Sequence, residues 1–173
     1  EDIFDEAIKK TESIIAEKSN DLQNKEETAR DIGVGAVIFS DLFSNRIKDV
    51  SFSWEEILDF DGETGPYVQY THARACSVLK KSCIEDSISS DSINMDNREE
   101  YYVAKALYEF PFRVEQALET LEPSVITRYL IELARAFNRF YHQHPILTAE
   151  ENLKKSRLAL VKAVRIVLSN GLW

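Results

Sequence analysis

A helical repeat of apolar residues between Pro123 and Gln143 places the strongest constraint on the fold of this chain. Its members recur three and four residues apart: Ile126, Leu130, Leu133, Phe137 and Phe140. Residues at that spacing share one face of an α-helix, so the segment predicts a long helix with an inward stripe. Only five Gly and four Pro occur in 173 residues, so few positions would interrupt such helices. The predicted fold class is therefore all-α, a bundle of roughly seven helices whose last four are antiparallel.

Capping and breaking residues predict the ends of a helix in the second half of the chain. Asp96 with Glu99 predicts a capping box that opens a helix through Tyr108. Pro111 is expected to break that helix, because proline cannot continue the hydrogen-bond ladder. A further helix is predicted over residues 112–121.

Glycines carry two further expectations. Asn170-Gly171 is expected to end the last helix. Gly33 and Gly35 lie inside a helix predicted over residues 25–43, where each costs about 1 kcal/mol relative to Ala. Their presence predicts close packing against a neighbour. A phosphate-binding loop is the alternative, although the spacing fits neither the dinucleotide fingerprint nor the P-loop.

Charge is distributed unevenly along the chain. Residues 123–173 contain 8 Lys+Arg and 3 Asp+Glu, whereas residues 1–122 contain 13 and 27. The local balances of +5 and −14 together give the net charge of −9. The basic last third indicates attraction to a polyanion within an otherwise acidic chain, with an ordinary solvated face as the alternative.

The stretch GETGPYVQYTHARAC places two phenols and a guanidinium in one stripe. Tyr67, Tyr70 and Arg74 are three and four residues apart, so they share a helix face. These side chains suit stacking on bases and pairing with phosphate better than they suit a hydrocarbon core. A half-buried core edge remains the alternative for the two tyrosines, and a salt bridge to Glu63 or Asp61 the alternative for Arg74.

The sequence contains no pattern typical of a catalytic or metal site. His142 and His144 are two residues apart and would point to different sides of a helix, and neither a CxxC motif nor a nucleophile elbow occurs. Cys76 and Cys83 lie seven apart on a predicted helix, too far to form a disulfide, and are expected to be reduced. No catalytic residue, no metal site and no cofactor is therefore predicted for this chain.

The N-terminal sequence EDIFDEAIKK is an acidic amphipathic pattern rather than a signal peptide, and no run of about 18 apolar residues occurs. A cytoplasmic location and no membrane partner are expected.

Five segments, in order, resemble the C-terminal part of the arginyl-tRNA synthetase family: IGVGAVIFSDL, FSWEEILDFDGETGPYVQYTHARACSVLKK, ALYEFPFRVEQAL, YLIELARAFNRFYHQHPIL and KKSRLALVKAVRIVLSNGLW. The resemblance covers nearly all of the chain, and FDGETGPYVQYTHAR is a specific stretch within it. It implies a class I synthetase whose all-helical C-terminal domain, named after an Asp-Ala-Leu-Arg motif, binds the anticodon stem and loop of tRNA for arginine. The stretch equivalent to that motif is degenerate here.

The resemblance also implies an organisation into two parts. Residues 1–60 would form a helical connector that follows a catalytic domain, and residues 61–173 the anticodon-binding bundle, with the polar, serine-rich segment 84–97 as a loop. The His-x-Gly-His-like and Lys-Met-Ser-Lys-Ser-like signatures of the family's adenylate-forming domain do not occur in this sequence. ATP is thus implied for the intact enzyme alone, and this chain is expected to be inactive without the rest. The expected partners are tRNA(Arg) and the absent catalytic domain of the same chain, and the chain is expected to be a monomer.

Six residues are predicted to bind tRNA: Tyr67, Tyr70, Arg74, Arg135, Arg139 and Tyr141. The resemblance implies the three tyrosines and Arg74, while a packing role is the alternative for Tyr141. Arg135 and Arg139 are added because they are basic and four apart on the helix that carries Tyr141. The alternative function is a helical protein–protein docking module without direct RNA contact.

Overall fold

The computed structural model describes residues 2–18, 24–45, 47, 52–83 and 94–173. These residues contain seven helices and no strand: α1 (Asp2–Lys18), α2 (Lys25–Phe43), α3 (Trp54–Ile57), α4 (Gly65–Ser82), α5 (Arg98–Thr120), α6 (Ser124–Gln143) and α7 (Glu151–Leu172). The prediction of an all-α fold is confirmed. Most of the predicted loop 84–97 lies outside the described residues. Its last four residues, 94–97, are described and lead into α5. None of the described helices is both long and apolar enough to cross a membrane.

Helix α6 is the centre of the bundle and packs against α2, α4, α5 and α7. The predicted stripe faces inward: Leu130, Leu133, Phe137 and Phe140 are fully buried, and Ile126 is half-buried. Tyr129 joins this core, since its ring stacks on Phe110 at 5.6 Å and its hydroxyl donates to the carbonyl of Ala106 at 2.8 Å. Burial raises the pKa of Tyr129 above its ordinary value.

Helices α1 and α2 approach each other closely at Gly33, in agreement with the close packing predicted from the glycines of α2. A Cβ atom at Gly33 would lie 2.9 Å from the backbone carbonyl carbon and oxygen of Ala7 in α1. Gly35 makes room for the side chain of Gln69 in α4, whose Nε2 donates to the carbonyl of Asp31 at 3.1 Å. The two glycines thus serve packing on two different sides of α2.

The predicted break at Pro111 is wrong, because α5 runs without interruption from Arg98 to Thr120. Pro111 is exposed, so the hydrogen bond that it removes is lost on the solvent side of the helix. The nearby residues Leu107 and Phe110 pack against the core. That packing offsets the cost of about 3 kcal/mol for proline inside a helix, and the two helices predicted here are one.

The predicted stop at Asn170-Gly171 is also wrong, because α7 continues to Leu172. None of the described glycines has the positive φ of a helix-ending residue. A Cβ atom at Gly171 would lie 2.5 Å from Cδ2 of Leu130, which is fully buried in α6. Gly171 therefore permits a close approach of α7 to α6 rather than ending the helix.

The first turn of α5 is capped by Asn97, one residue after the predicted Asp96. The side-chain oxygen of Asn97 accepts a hydrogen bond from the backbone N–H of Glu100 at 2.9 Å. The carboxylate of Glu100, rather than that of Glu99, reaches back to accept from the backbone N–H of Asp96 at 2.7 Å. The prediction was displaced by one position because Asp96 and Asn97 are both good caps.

Substitution of Asn97 by Ala is expected to lower the free energy of unfolding by about 1 kcal/mol, the usual cost of a lost N-cap. Asp96→Ala is the matched control and should change it by less than about 0.5 kcal/mol, since only the backbone of Asp96 takes part in the cap. Urea unfolding followed by circular dichroism measures both values. Equal losses in the two variants would contradict the assignment of the cap to Asn97.

Candidate nucleic-acid interface

An open cavity of about 580 Å³ lies where α4 meets the C-terminal end of α6. Its aromatic and basic lining residues come from both helices: Tyr70, Arg74, Lys81, Tyr141 and His142. The segment 145–148, which follows α6, forms another part of the lining. Three of the six residues predicted to bind RNA, namely Tyr70, Arg74 and Tyr141, therefore meet at one cavity.

Arg74 lies over two tyrosine rings at this cavity. Its guanidinium carbon is 4.9 Å from the ring centroid of Tyr70 and 4.9 Å from that of Tyr141. Each contact of this kind contributes about 0.5–1 kcal/mol when exposed. Tyr70 is 51% exposed, whereas Tyr141 is half-buried and packs on Phe137 with ring centroids 6.2 Å apart. The arrangement holds a cation and two aromatic rings together before any ligand arrives.

A short chain of hydrogen bonds also anchors Arg74. The Nη1 group of Arg74 donates to Oδ1 of Asn138. Asn138 is buried, and its Nδ2 donates to the hydroxyl of Thr71 at 2.9 Å. The Thr71 hydroxyl in turn donates to the carbonyl of Tyr67, one turn earlier in α4, at 2.8 Å. Arg74 is therefore not paired with Glu63 or Asp61, the alternative that the sequence left open.

Arg135 and Arg139 lie on the exposed stripe of α6, and each contacts a glutamate. Arg135 Nη2 is 2.7 Å from Oε1 of Glu63, and Arg139 Nη2 is 3.6 Å from Oε1 of Glu99. Glu99 also accepts from Nε2 of His144 at 3.2 Å. That hydrogen bond is the largest of the influences that lower the pKa of Glu99, and the charge of Arg139 adds to it. Neither arginine lines the cavity, so both would have to meet RNA on the neighbouring surface.

Tyr67, the remaining predicted residue, does not line the cavity. It is half-buried and packs against the main core, and its backbone carbonyl anchors Thr71. Its direct contact with RNA stays a prediction.

A buried ion pair contacts Pro145, the first residue of segment 145–148. Arg157 of α7 is 4% exposed, and its Nε donates to Oε1 of Glu100 at 2.6 Å. Nη1 of the same guanidinium donates to the carbonyl of Pro145 at 2.5 Å. Burial alone raises the pKa of Glu100, but the Asp96 N–H and the guanidinium of Arg157 outweigh burial and lower it below its ordinary value. One arginine thus connects α7, the start of α5 and one part of the cavity lining.

Sequence reasoning missed Thr71, Asn138, Glu100 and Arg157, the residues that support the cavity from within. A faint signal exists for Asn138, because it lies beside the apolar stripe of α6, where a polar side chain needs a partner. No sequence pattern distinguishes Arg157 from the other cations of α7. Within the residues that the structure describes, Cys76 and Cys83 form no disulfide.

A scan of protein families identifies the class of domain to which this geometry belongs. The chain belongs to the DALR anticodon binding domain family, whose model matches residues 68–173. Residues 1–54 match a second model, described as the catalytic domain of class I (R) tRNA synthetases.

The relatives of the chain are arginine–tRNA ligases, in agreement with the resemblance seen in the sequence. The ligase of Alkaliphilus metalliredigens is 49% identical over 178 residues, which cover 99% of this chain and 30% of that protein. The arginyl-tRNA synthetase of Thermus thermophilus matches in structure with a TM-score of 0.90 at 35% identity, over 99% of this chain and 30% of that chain. The Plasmodium falciparum synthetase, at 22% identity and a TM-score of 0.88 over 99% of this chain and 31% of that chain, shares the fold. The chain thus spans about 30% of the length of the curated relative and of the Thermus protein.

Proposed function

We propose that this chain recognises the anticodon arm of tRNA for arginine as part of an arginine–tRNA ligase. In the intact enzyme, ATP-dependent attachment of arginine to that tRNA would take place in the catalytic domain of the same protein. The observation that carries the proposal is the meeting of Tyr70, Arg74 and Tyr141 at one open cavity in a domain of an anticodon-binding family.

The chemistry of the cavity suits the unpaired bases of an anticodon loop. Single-stranded bases are recognised by stacking on aromatic rings and on guanidinium planes, and Tyr70 exposes half of its surface. Arg74 and Lys81 add positive charge for the phosphates between those bases. The neighbouring Arg135 and Arg139 of α6 would add further positive charge once an RNA phosphate replaces the glutamates that they contact.

The division of labour along the chain is part of the same proposal. Residues 1–60 would connect to the catalytic domain and residues 61–173 would bind tRNA. The anticodon-binding family match over residues 68–173 supports the second part of this division, whereas residues 1–54 match the catalytic-domain model itself. The proposed partners are tRNA(Arg) and the catalytic domain, the proposed location is the cytoplasm, and the chain itself would need no cofactor. Light scattering at several concentrations tests the further expectation of a monomer.

Fluorescence anisotropy with labelled tRNA for arginine tests the proposal. Tyr70→Ala and Tyr141→Ala are each expected to weaken binding by about 5- to 150-fold, since one stacked base contributes about 1–3 kcal/mol. Tyr108→Ala is the matched control, because Tyr108 is 72% exposed on α5 and does not line the cavity. That variant should bind as the unchanged chain does.

A second titration uses the same tRNA with its anticodon bases replaced. Preferential binding of the natural anticodon supports recognition by this chain. Equal binding of both tRNAs would reduce its role to attraction of phosphates, and no binding at all would favour the protein-docking alternative.

A further inference from the structure

The three arginines of the proposed RNA surface are anchored by different kinds of group. Arg135 and Arg139 contact the carboxylates of Glu63 and Glu99. Arg74 is anchored by the neutral amide of Asn138, and within the described part of the chain it forms no ion pair with a carboxylate. An RNA phosphate must compete with a glutamate at the first two arginines but meets an uncompensated charge at the third.

The orientation of the Asn138 amide follows from its neighbours. The Thr71 hydroxyl has a single proton, which it donates to the carbonyl of Tyr67 at 2.8 Å. It must therefore accept the hydrogen bond from Asn138 at 2.9 Å, so the NH₂ end of the amide faces Thr71. The oxygen end is then directed at Arg74, which needs an acceptor. A flipped amide would place two donors against each other at Arg74.

The buried surroundings of Asn138 explain why this residue controls the position of Arg74. Asn138 is 8% exposed and Thr71 is fully buried, so water does not substitute for either group. Arg74 uses one nitrogen on Asn138, while its guanidinium carbon lies 4.9 Å from the ring centroids of Tyr70 and Tyr141. Its other N–H groups make no hydrogen bond within the described residues and are available to a ligand.

We propose that Asn138, oriented by Thr71, is a positioning residue that holds Arg74 over the two tyrosines while leaving its positive charge available to an RNA phosphate. The inference rests on the proposed function, since it concerns how the same cavity keeps the positive charge of Arg74 available to RNA. It adds two buried residues of α4 and α6 to the six that the sequence predicted.

Asn138→Asp is the decisive variant, because it keeps the shape of the side chain and places a carboxylate against Arg74. Binding of an RNA hairpin with the anticodon stem and loop of tRNA for arginine is measured by anisotropy from 50 to 300 mM salt, a range of about sixfold. The variant should bind about tenfold more weakly at low salt, and the slope of log Kd against log salt should fall by about one, the value for one phosphate contact. In an Arg74→Gln background the same substitution should have little further effect.

Two variants separate charge from structure. Thr71→Val removes the hydroxyl that orients the Asn138 amide and adds no charge. It should therefore weaken binding of the hairpin severalfold and leave the slope of log Kd against log salt unchanged. Glu63→Gln frees Arg135 at an exposed site and should tighten binding and steepen the slope. Thermal unfolding of each variant reports whether the bundle is intact, and the Thr71→Val result stands if Asn138→Asp does not fold.

Two results would overturn the inference while leaving the proposed function in place. One is an unchanged salt slope and affinity for a folded Asn138→Asp variant; the other is wild-type binding by Thr71→Val. Failure of the unchanged chain to bind the hairpin would instead contradict the proposed function itself.

Discussion

Replacement of Arg157 by Met is expected to lower the free energy of unfolding by about 3–5 kcal/mol, the usual cost of leaving one partner of a buried ion pair alone. Glu100 is 1% exposed and would lose the cation that balances its buried carboxylate. The carbonyl of Pro145 would also lose its donor. Chemical denaturation at pH 7 measures the loss.

Two comparisons test whether the loss of stability comes from the buried ion pair. Lys155→Met removes an exposed ion pair with Glu151 on the same helix, at 3.5 Å, and should cost less than about 1 kcal/mol. The double variant Glu100→Met with Arg157→Met should recover part of the loss, because no unpaired charge remains. A cost for Arg157→Met as small as that for Lys155→Met would contradict the arrangement of charges described above.

The stabilisation by Glu100 should also depend on pH in a definite direction. The folded-state pKa of Glu100 is below its ordinary value, so its contribution is present in full above the unfolded-state pKa of about 4.3. It is lost as the pH falls from there through the folded-state pKa. The difference in stability between the unchanged chain and Glu100→Gln should therefore shrink on acidification below about pH 4.3. A difference that stayed constant to pH 2 would contradict the lowered pKa.

The second large effect is expected from Gly33→Val, which should lower the free energy of unfolding by about 1–3 kcal/mol through overpacking. The added Cβ would meet the backbone of Ala7 at 2.9 Å, and a backbone cannot rotate away as a side chain can. Helix propensity works in the opposite direction, because valine is a better helix former than glycine. The sign of the measured change therefore decides whether the close approach of α1 and α2 or local propensity prevails.

Arg30→Ala, at an exposed position of α2, is the control and should change stability by less than about 0.5 kcal/mol. Hydrogen exchange adds a local measurement, since Gly33→Val should increase exchange in residues 2–18 more than in α6. A stabilised Gly33→Val variant would show that the two helices do not need their close contact.

Periodicity and composition were enough to predict the all-α class and the inward stripe of α6, because a helix spaces its buried face by a local rule. The same kind of rule predicted close packing at Gly33, where glycine has a cost that only a neighbour can offset. Local rules were wrong at Pro111 and at Gly171. At both positions contacts with α6 or the core, which are distant in sequence, outweigh a local preference for ending a helix.

The candidate site likewise combines features that the sequence predicted with features that only the tertiary structure decides. The spacing of Tyr70 and Arg74 on one helix face is a property of the chain, and the resemblance to a family indicated Tyr141. The anchoring of Arg74 by Asn138 rather than by Glu63 or Asp61 depends on how α4 and α6 are set against each other, since the two residues are 64 positions apart. The local sequence of α7 likewise does not reveal that Arg157 is buried while its neighbour Lys155 is exposed. Helix spacing acts over a few residues, whereas the partner of a buried polar group is chosen by the packing of distant segments, where each such group must find its counterpart away from water.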